Sequence, residues 1–339
     1  MEPLATLRSL ARVLLHGQRP ASELGPEVHQ LAALIHKHAT VVPGDRIDTC
    51  GESRTAQGLA LSPTMAARCA DDIARTIVFS RGVHDAIRWS RERNPSRPAR
   101  LLYAGCGPYA LLVLCAMAAL KPDDLQITLL DIHAPSMDCA IALIDTFGLS
   151  AFIADEVVED ACAYKIPEGH TPDIILSETM NAALEKEPQV SIFRHLAAQA
   201  PNAILLPASV KVNAYFVDPS REYGCVEYGE GESGPTEPDR ILLGSVFELC
   251  AETIQSWPAE ETGALPANAV RIPRELGSRD TAILHTVVTV FGEHTLRVRD
   301  SGLTLPKPIP TQGALRGGET LRFCYRLGAR PALVCTVET

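Results

Sequence analysis

Two glycines and one acid are the first residues in the sequence whose spacing could form a ligand site. Gly105 and Gly107 follow a predicted strand, residues 100–104, and a helix begins directly after them. Glycines at such a turn allow a tight bend and let a ligand approach the backbone. The next strand ends in Asp131, at the spacing where a carboxylate accepts hydrogen bonds from both hydroxyls of a ribose. The glycines alone could serve only the turn, but together with Asp131 they favour a nucleoside site.

A dinucleotide is a weaker hypothesis for this turn. Ala110 takes the place of the third glycine in the pattern G-x-G-x-x-G. The second strand is also followed by no arginine suited to a 2′-phosphate. A nucleoside without a pyrophosphate is therefore favoured over the NAD of an oxidoreductase, which stays open as an alternative.

Two carboxylates form the second group. Glu178 ends a predicted strand, residues 173–178, and Glu187 follows nine residues later. The carboxyl end of a strand in an open α/β sheet faces the crevice where ligands bind. Two carboxylates there would bind a cationic or N–H-bearing substrate by charge-assisted hydrogen bonds and could accept its proton. A set of solvated loop acids, with Glu185 as a third, is the alternative.

Three parts of the chain must position these residues. Residues 1–98 have the apolar spacing of helices, and one helix is predicted from Pro63 to about Ile77. Residues 99–207 alternate short apolar strands with helices, which predicts a Rossmann-like parallel sheet. Residues 208–339 contain β-branched or alternating segments between Gly and Pro clusters, without convincing helices. We therefore predict an α/β fold with an N-terminal helical segment that covers the cleft and a C-terminal domain resembling a β-barrel.

Composition and charge restrict the partners. The 31 Lys and Arg residues against 41 Asp and Glu give a net charge of −10, which disfavours nucleic acid and anionic membranes. The longest apolar run, residues 110–120, is too short to span a bilayer. Ten scattered cysteines without a C-x-x-C pair indicate a reduced setting and no zinc site. We expect a cytoplasmic protein with a small-molecule substrate and no metal.

The first group resembles the cofactor site of the class I S-adenosylmethionine-dependent methyltransferases. In that superfamily the glycine turn, the acid ending the second strand and an acid after the third strand bind the cofactor. Tyr103 stands where the superfamily usually has an acid, and Tyr109 where it often has a further glycine. The resemblance implies S-adenosylmethionine as cofactor, S-adenosylhomocysteine as product, and the following binding residues: Tyr103, Gly105, Cys106, Gly107, Asp131, Asp160 and Ala161.

The second group is similar to the double-glutamate loop of the protein arginine methyltransferases. The segment S-E-T-M, residues 177–180, resembles that family's S-E-W-M-G, whose second glutamate has the spacing of Glu187. Residues 72–76, D-I-A-R-T, resemble its D-x-V-R-T helix, whose arginine holds the cofactor carboxylate, and this implies the same role for Arg75. The resemblance covers roughly residues 60–339.

The departures from that family bear on the substrate. The sequence has no T-H-W triplet, the loop that closes the arginine pocket in the family, no Y-F-x-x-Y helix, and Thr179 in place of the tryptophan. It looks more like small-molecule enzymes of the same fold, such as indole C3 methyltransferases. We expect methyl transfer to carbon or nitrogen of a small heteroaromatic, indole-like natural product, with Glu178 and Glu187 as catalytic residues. Protein arginine N-methylation is the alternative, and a non-catalytic nucleoside-binding subunit is a more remote one.

Two further predictions concern the C-terminal part. His285, on a predicted strand, is a third catalytic candidate, although its alternation with apolar neighbours equally fits a core histidine. Residues 218–239, rich in Gly, Glu and Pro, are predicted to form a long loop or projecting arm. By analogy with the arms of arginine methyltransferases, this arm would form a homodimer.

Overall fold

The computed structural model describes residues 3–16, 19–44, 51–223, 239–258, 263–311 and 314–338. Its helices, in chain order, are α1 (Pro3–His16), α2 (Gly25–His38), α3 (Pro63–Ala67), α4 (Ile73–Arg93), α5 (Leu111–Ala119), α6 (Ala134–Thr146), α7 (Gln189–Gln199), α8 (Pro219–Tyr223) and α9 (Ala251–Ser256). None of the helices in these ranges is long and apolar enough to cross a bilayer.

The strands fall into a hairpin, a parallel sheet and two antiparallel sheets. The hairpin and the parallel sheet comprise β1 (Ser53–Arg54), β2 (Leu59–Ala60), β3 (Ala99–Ala104), β4 (Leu125–Asp131), β5 (Ile153–Val158), β6 (Ile174–Ser177) and β7 (Ile204–Leu206). The antiparallel sheets comprise β8 (Ser209–Val217), β9 (Arg240–Cys250), β10 (Ala264–Arg271), β11 (Thr281–Phe291), β12 (His294–Leu296), β13 (Lys307–Pro308), β14 (Thr320–Arg326) and β15 (Ala332–Glu338).

The N-terminal helices form because apolar residues recur along one side of each. α1 buries Leu7, Leu10 and Leu14 and packs against α2, α4 and α5. α5 is buried on all sides, which explains why its sequence is apolar throughout. These contacts attach α1 and α2 to α4 and α5, the helices on either side of β3 in the chain.

The helix predicted from Pro63 to about Ile77 is interrupted. Ser62 caps α3 as expected, since its side chain accepts a hydrogen bond from the Met65 N–H. A single 3₁₀ turn follows, and Asp72 then adopts an extended conformation. Its carboxylate accepts from the Arg75 N–H at 3.0 Å and so begins α4. The prediction of one helix was wrong. Aspartate favours the N-cap position over the interior of a helix, so a second helix begins after Asp72.

The parallel sheet has the strand order β5-β4-β3-β6-β7. The chain first builds the sheet outward from β3 through β4 to β5, then returns to place β6 on the other side of β3. This reversal creates a crevice at the carboxyl ends of β3 and β6, where open α/β sheets bind ligands. The predicted alternation of strands and helices is confirmed.

Residues after the cis peptide Leu206-Pro207 form the antiparallel part. One sheet has the order β12-β11-β8-β9, with β13 paired to β11, and the other has the order β10-β14-β15. β9 and β10 lie side by side, with the Asn268 side chain donating to the Ser245 carbonyl at 3.0 Å. No ladder closes these sheets into a barrel among the described strands.

Two short helices depart from the predicted C-terminal organisation, and most of the predicted arm is untested. The short helices α8 and α9 occur where no helix was expected, and α9 is capped by hydrogen bonds between Cys250 and Thr253. Of the predicted arm, residues 224–238 lie outside the described residues. The homodimer therefore stays a prediction.

Candidate active site

A cavity of about 400 Å³ opens at the carboxyl ends of β3, β4 and β6. It lies at the reversal of strand order described above. Every residue predicted to bind the cofactor lines it, and both glutamates do so as well: Arg75, Tyr103, Gly105, Cys106, Gly107, Asp131, Asp160, Ala161, Glu178 and Glu187. The cavity thus joins the two groups of residues that the sequence analysis treated separately.

The glycine turn needs both of its glycines. Gly105 has φ +71° and Gly107 has φ +63°, a left-handed region that side chains disfavour. The Gly105 N–H donates to the Leu130 carbonyl at 2.8 Å, which fixes the turn against β4. A Cβ on Gly105 would lie 2.3 Å from Cγ2 of Thr179. The turn is therefore packed directly against the S-E-T-M segment.

Asp131 is held by the backbone around it. One carboxylate oxygen accepts from the Gly107 N–H at 2.8 Å, and the other accepts from the His133 N–H at 2.9 Å. The residue is 6% exposed, and burial raises the pKa of its carboxyl group while these hydrogen bonds oppose the rise. A carboxylate oxygen can accept more than one hydrogen bond, so both oxygens can also take hydroxyl groups of a ligand.

Arg75 and Glu178, to which different roles were assigned, form a buried ion pair. The Arg75 Nε donates to Glu178 Oε2 at 2.6 Å, and Nη2 donates to the same oxygen. The remaining Nη1 donates to the Cys69 carbonyl at 3.1 Å. Burial works to lower the pKa of Arg75, but the adjoining Glu178 carboxylate outweighs it, so the guanidinium stays charged. Three of its five N–H groups are used, which leaves two for a ligand carboxylate.

Glu187 has no such partner. It is 8% exposed, and its carboxylate accepts no hydrogen bond from any residue that the structure describes. Burial and the neighbouring Glu178 raise the pKa of Glu187 to about 8. A positively charged ligand beside it would offset both effects and favour the ionised form. The cavity therefore contains one carboxylate, Glu178, that is paired with an arginine, and one, Glu187, that is unpaired among the described residues.

The loop that joins the two glutamates is strained. Ala183, Leu184 and Lys186 have φ values of +59°, +57° and +70°, although none is glycine. The Glu187 N–H donates to the Glu185 carbonyl at 2.8 Å across Lys186, which closes a tight γ-turn. Each such residue costs about 1–3 kcal/mol and persists only where its surroundings fix it. We call residues 178–187 the double-glutamate loop.

Gln189 was missed by the sequence analysis, although it fixes one side of this loop. Its buried side-chain oxygen accepts from the Thr179 N–H at 2.8 Å, and its amide nitrogen donates to the Ser177 carbonyl at 3.1 Å. It thus bridges the residues on both sides of Glu178. A glutamine at the start of a predicted helix gives no sequence signal for this role.

Asp72 was also missed as a site residue. Its second carboxylate oxygen accepts from the Ser301 hydroxyl at 2.7 Å and from the Gly302 N–H at 3.1 Å. Gly302 and Leu303 line the cavity. A loop of the C-terminal part therefore closes one side of the site although the T-H-W triplet is absent. The pattern Ser301 to Thr304, a capped 3₁₀ turn, was the available signal.

The β1–β2 hairpin forms another wall. Leu59 lines the cavity, and its N–H donates to the Lys186 carbonyl at 2.8 Å. A Cβ on Gly58 would lie 2.9 Å from the same carbonyl oxygen, so the hairpin rests directly on the double-glutamate loop. From the first 98 residues the described lining comes from this hairpin, α3, the segments that adjoin them and the start of α4, with no contribution from α1 or α2.

His285 lies away from this cavity. It is buried on β11, its ring lies 4.4 Å from that of Tyr215, and its Nε2 is 3.5 Å from a Glu222 oxygen. Glu222 is itself paired with Arg240 at 2.6 Å. Burial, reinforced by the charge of Arg240, lowers the pKa of His285 to about 4, so the ring is neutral. The sequence alternative of a core histidine fits this position.

The described residues contain no group of three or more His, Cys, Asp or Glu side chains arranged to hold a metal ion. The polar part of the site is instead formed by carboxylates, by Arg68 and Arg75, and by the backbone of the glycine turn.

Comparison with known proteins identifies the fold. No protein-family model matches the chain, and no curated protein sequence matches it. It is similar in structure to Trypanosoma brucei PRMT1 in an enzyme–prozyme heterotetrameric complex with AdoHcy, with a TM-score of 0.50 and 15% identity over 79% of this chain and 91% of that one. It is also similar to PRMT6, with a TM-score of 0.50 and 12% identity over 77% of this chain and 95% of PRMT6.

The chain has the fold of the protein arginine methyltransferases. The predicted fold class, a Rossmann-like methyltransferase sheet followed by a β-rich C-terminal part, is confirmed.

Proposed function

We propose that the protein is a methyltransferase that uses S-adenosylmethionine. The observation that carries this proposal is the single cavity in which the glycine turn and Asp131 meet two buried glutamates. Asp131 would accept hydrogen bonds from the ribose hydroxyls, and Asp160 would contact the adenine. The two unused N–H groups of Arg75 would hold the cofactor carboxylate. The structural likeness to an arginine methyltransferase complex with AdoHcy supports the same cofactor.

The residues of the cavity supply position and charge. When bound, the cofactor supplies an electrophilic methyl group. Arg75 and Asp131 would hold the cofactor, and Glu187 would orient the acceptor, whose electron pair would take the methyl group while sulfur keeps the electrons of its former bond. Holding acceptor and methyl group in line contributes up to about 7–11 kcal/mol. Positive charge then develops on the acceptor, where Glu187 stabilises it and takes the N–H proton.

The acceptor that we propose is a small heteroaromatic, indole-like molecule. The walls contributed by the hairpin, α3 and the Ser301–Thr304 turn are largely apolar, with Leu61, Met65 and Leu303 among the lining residues. Such walls suit a ring system, with Glu187 as its polar contact. Alkylation at carbon would produce a cationic iminium. Like a methylated amine, it needs a neighbouring negative charge, which Glu187 would supply.

Protein arginine N-methylation is the second candidate. The shared fold and the paired glutamates favour it, because a guanidinium would satisfy the unpartnered Glu187.

His285 is left out of the proposed catalytic set, since it does not reach the cavity.

The two candidates are separated by acceptor assays on the wild-type protein. We expect release of S-adenosylhomocysteine with members of a heterocycle panel and none with an arginine-rich peptide. Activity on the peptide alone would replace the first proposal with the second. Turnover of neither, with S-adenosylhomocysteine still bound, would favour a non-catalytic nucleoside-binding subunit. Thermal-shift comparison with NAD tests the cofactor itself.

A further inference from the structure

The strained part of the double-glutamate loop is held by the C-terminal part of the chain, which makes one hydrogen bond to each left-handed residue. The Ala183 N–H donates to the Thr286 hydroxyl at 2.8 Å. The Tyr325 hydroxyl donates to the Leu184 carbonyl at 2.8 Å. The Lys186 N–H donates to the Pro331 carbonyl at 2.9 Å. These contacts supply the surroundings that such a conformation requires.

Two of the three contacts come from the side chains of buried residues. Tyr325 is 0% exposed and Thr286 is 1% exposed, and neither lines the cavity. Burial raises the pKa of Tyr325, so its hydroxyl stays a donor. Its ring is stacked on Phe247 at 4.8 Å, and Phe247 is stacked on Trp257 at 5.5 Å. The hydroxyl is therefore carried on a rigid support.

We infer that Tyr325, assisted by Thr286, is a positioning residue that fixes the double-glutamate loop so that Glu187 points into the cavity. The inference rests on the proposed function for its catalytic consequence. It goes beyond that function in assigning part of the active-site geometry to a residue of β14, which touches neither substrate nor cofactor. Loss of the hydroxyl would leave the Leu184 carbonyl buried without its partner and release the loop toward ordinary backbone angles.

The test compares variants that keep the shape of the core and remove one hydroxyl. We expect Tyr325→Phe and Thr286→Val each to lower kcat by about tenfold, while the Kd of S-adenosylhomocysteine changes by less than about twofold. Thr286→Ser keeps the hydroxyl and should retain most of the activity. Tyr215→Phe removes a phenol that makes no hydrogen bond to the loop among the described residues, and it should leave kcat unchanged. Equal kcat in Tyr325→Phe and wild type, at a temperature where both are folded, would overturn the inference.

Amide hydrogen exchange provides a readout that does not depend on turnover. In Tyr325→Phe we expect exchange in residues 182–187 to accelerate by about tenfold or more, with exchange around the glycine turn unchanged. Uniform acceleration through the whole chain would indicate a general loss of stability and contradict the inference. If the wild type methylates no acceptor, the proposed function fails, and the exchange data alone still decide whether Tyr325 fixes the loop.

Discussion

The glycine turn and the double-glutamate loop lie in contact at the carboxyl edge of one sheet, yet their backbones are fixed in different ways. In the turn the left-handed positions include Gly105 and Gly107, and the hydrogen bonds go to the adjacent strand β4. In the loop the left-handed positions are Ala183, Leu184 and Lys186. Their partners are distant in sequence: Thr286 on β11, Tyr325 on β14 and Pro331, directly before β15.

The difference teaches where the information for each segment resides. Gly105 and Gly107 accept their left-handed conformation at little cost, and only Ala110, with φ +43° at the start of α5, is a non-glycine left-handed residue of the turn. The shape of the turn therefore follows mainly from local sequence. The loop has residues that oppose its conformation, so its shape depends on contacts with the C-terminal part. Cofactor binding should therefore withstand changes that disable residues 183–187 of the loop. The following predictions test this separation, beginning with the largest effect.

Glu187→Gln removes the charge of the loop without changing the turn. We expect kcat to fall about 100-fold or more, because the proton acceptor and the opposing charge are both lost. The affinity for S-adenosylhomocysteine, measured by calorimetry, should change little. Glu185→Gln is the matched control, since that acid belongs to the same loop but pairs with Lys307 at 3.4 Å. Comparable losses in both variants would contradict the assignment of Glu187.

Gly105→Ala breaks the turn. The new Cβ would combine an unfavourable φ with a 2.3 Å approach to Thr179, so we expect a loss of about 3 kcal/mol in the free energy of unfolding and weaker cofactor binding. Gly148 has φ +65° with nothing within 4 Å of a Cβ. Gly148→Ala should therefore cost only about 1 kcal/mol. Equal costs in urea unfolding would mean that contact with Thr179 contributes nothing.

The free energy of unfolding should depend on pH because of the Glu187 carboxyl group. The pKa of Glu187 rises from 4.5 to about 8 in the folded protein, so the folded state binds the proton more tightly than the unfolded chain. The free energy of unfolding must then fall as pH rises from about 4.5 to about 8, by up to ~1.4 kcal/mol per pH unit. Glu187→Gln has no titrating group at this position, so its free energy of unfolding should increase relative to that of the wild type as pH rises. Parallel profiles of the free energy of unfolding against pH would contradict this prediction.

Lys186→Gly relieves part of the strain, and the expected effect is the smallest. Lys186 is exposed, so glycine removes a left-handed side chain without loss of buried surface. We expect the free energy of unfolding to rise by about 0.5–1 kcal/mol, since glycine adopts this φ freely. Thermal unfolding measures the gain. A loss of stability would show that the γ-turn is not a source of strain.

The sequence predicted the first of these segments far better than the second. The apolar strands, the glycines and Asp131 follow local rules of periodicity and turn chemistry, and the structure has them in the expected places. The spacing of Glu178 and Glu187 was equally readable. What could not be read was the ion pair between Arg75 and Glu178, which joins residues 103 positions apart.

The remaining omissions have the same origin. Asp72 and Ser301 are 229 positions apart, and Tyr325 and Leu184 are 141 apart. Neither pair has a pattern in the chain, because the two partners meet only when the C-terminal strands dock on the parallel sheet. His285 illustrates the converse case, in which an ionisable residue attracts notice in the sequence and lies in a separate buried cluster.

The ring stack beneath Tyr325 also allows the active site to be monitored by tryptophan fluorescence. Trp257 is one of two tryptophans in the chain, and the other, Trp89, lies on α4 beside Arg93 and is 40% exposed. Replacing Trp89 by phenylalanine would leave a single tryptophan, stacked through Phe247 on the tyrosine that holds the loop, and excitation at the long-wavelength edge of its absorption would select it over the tyrosines. Its fluorescence would follow motions of the double-glutamate loop as they occur, without any label.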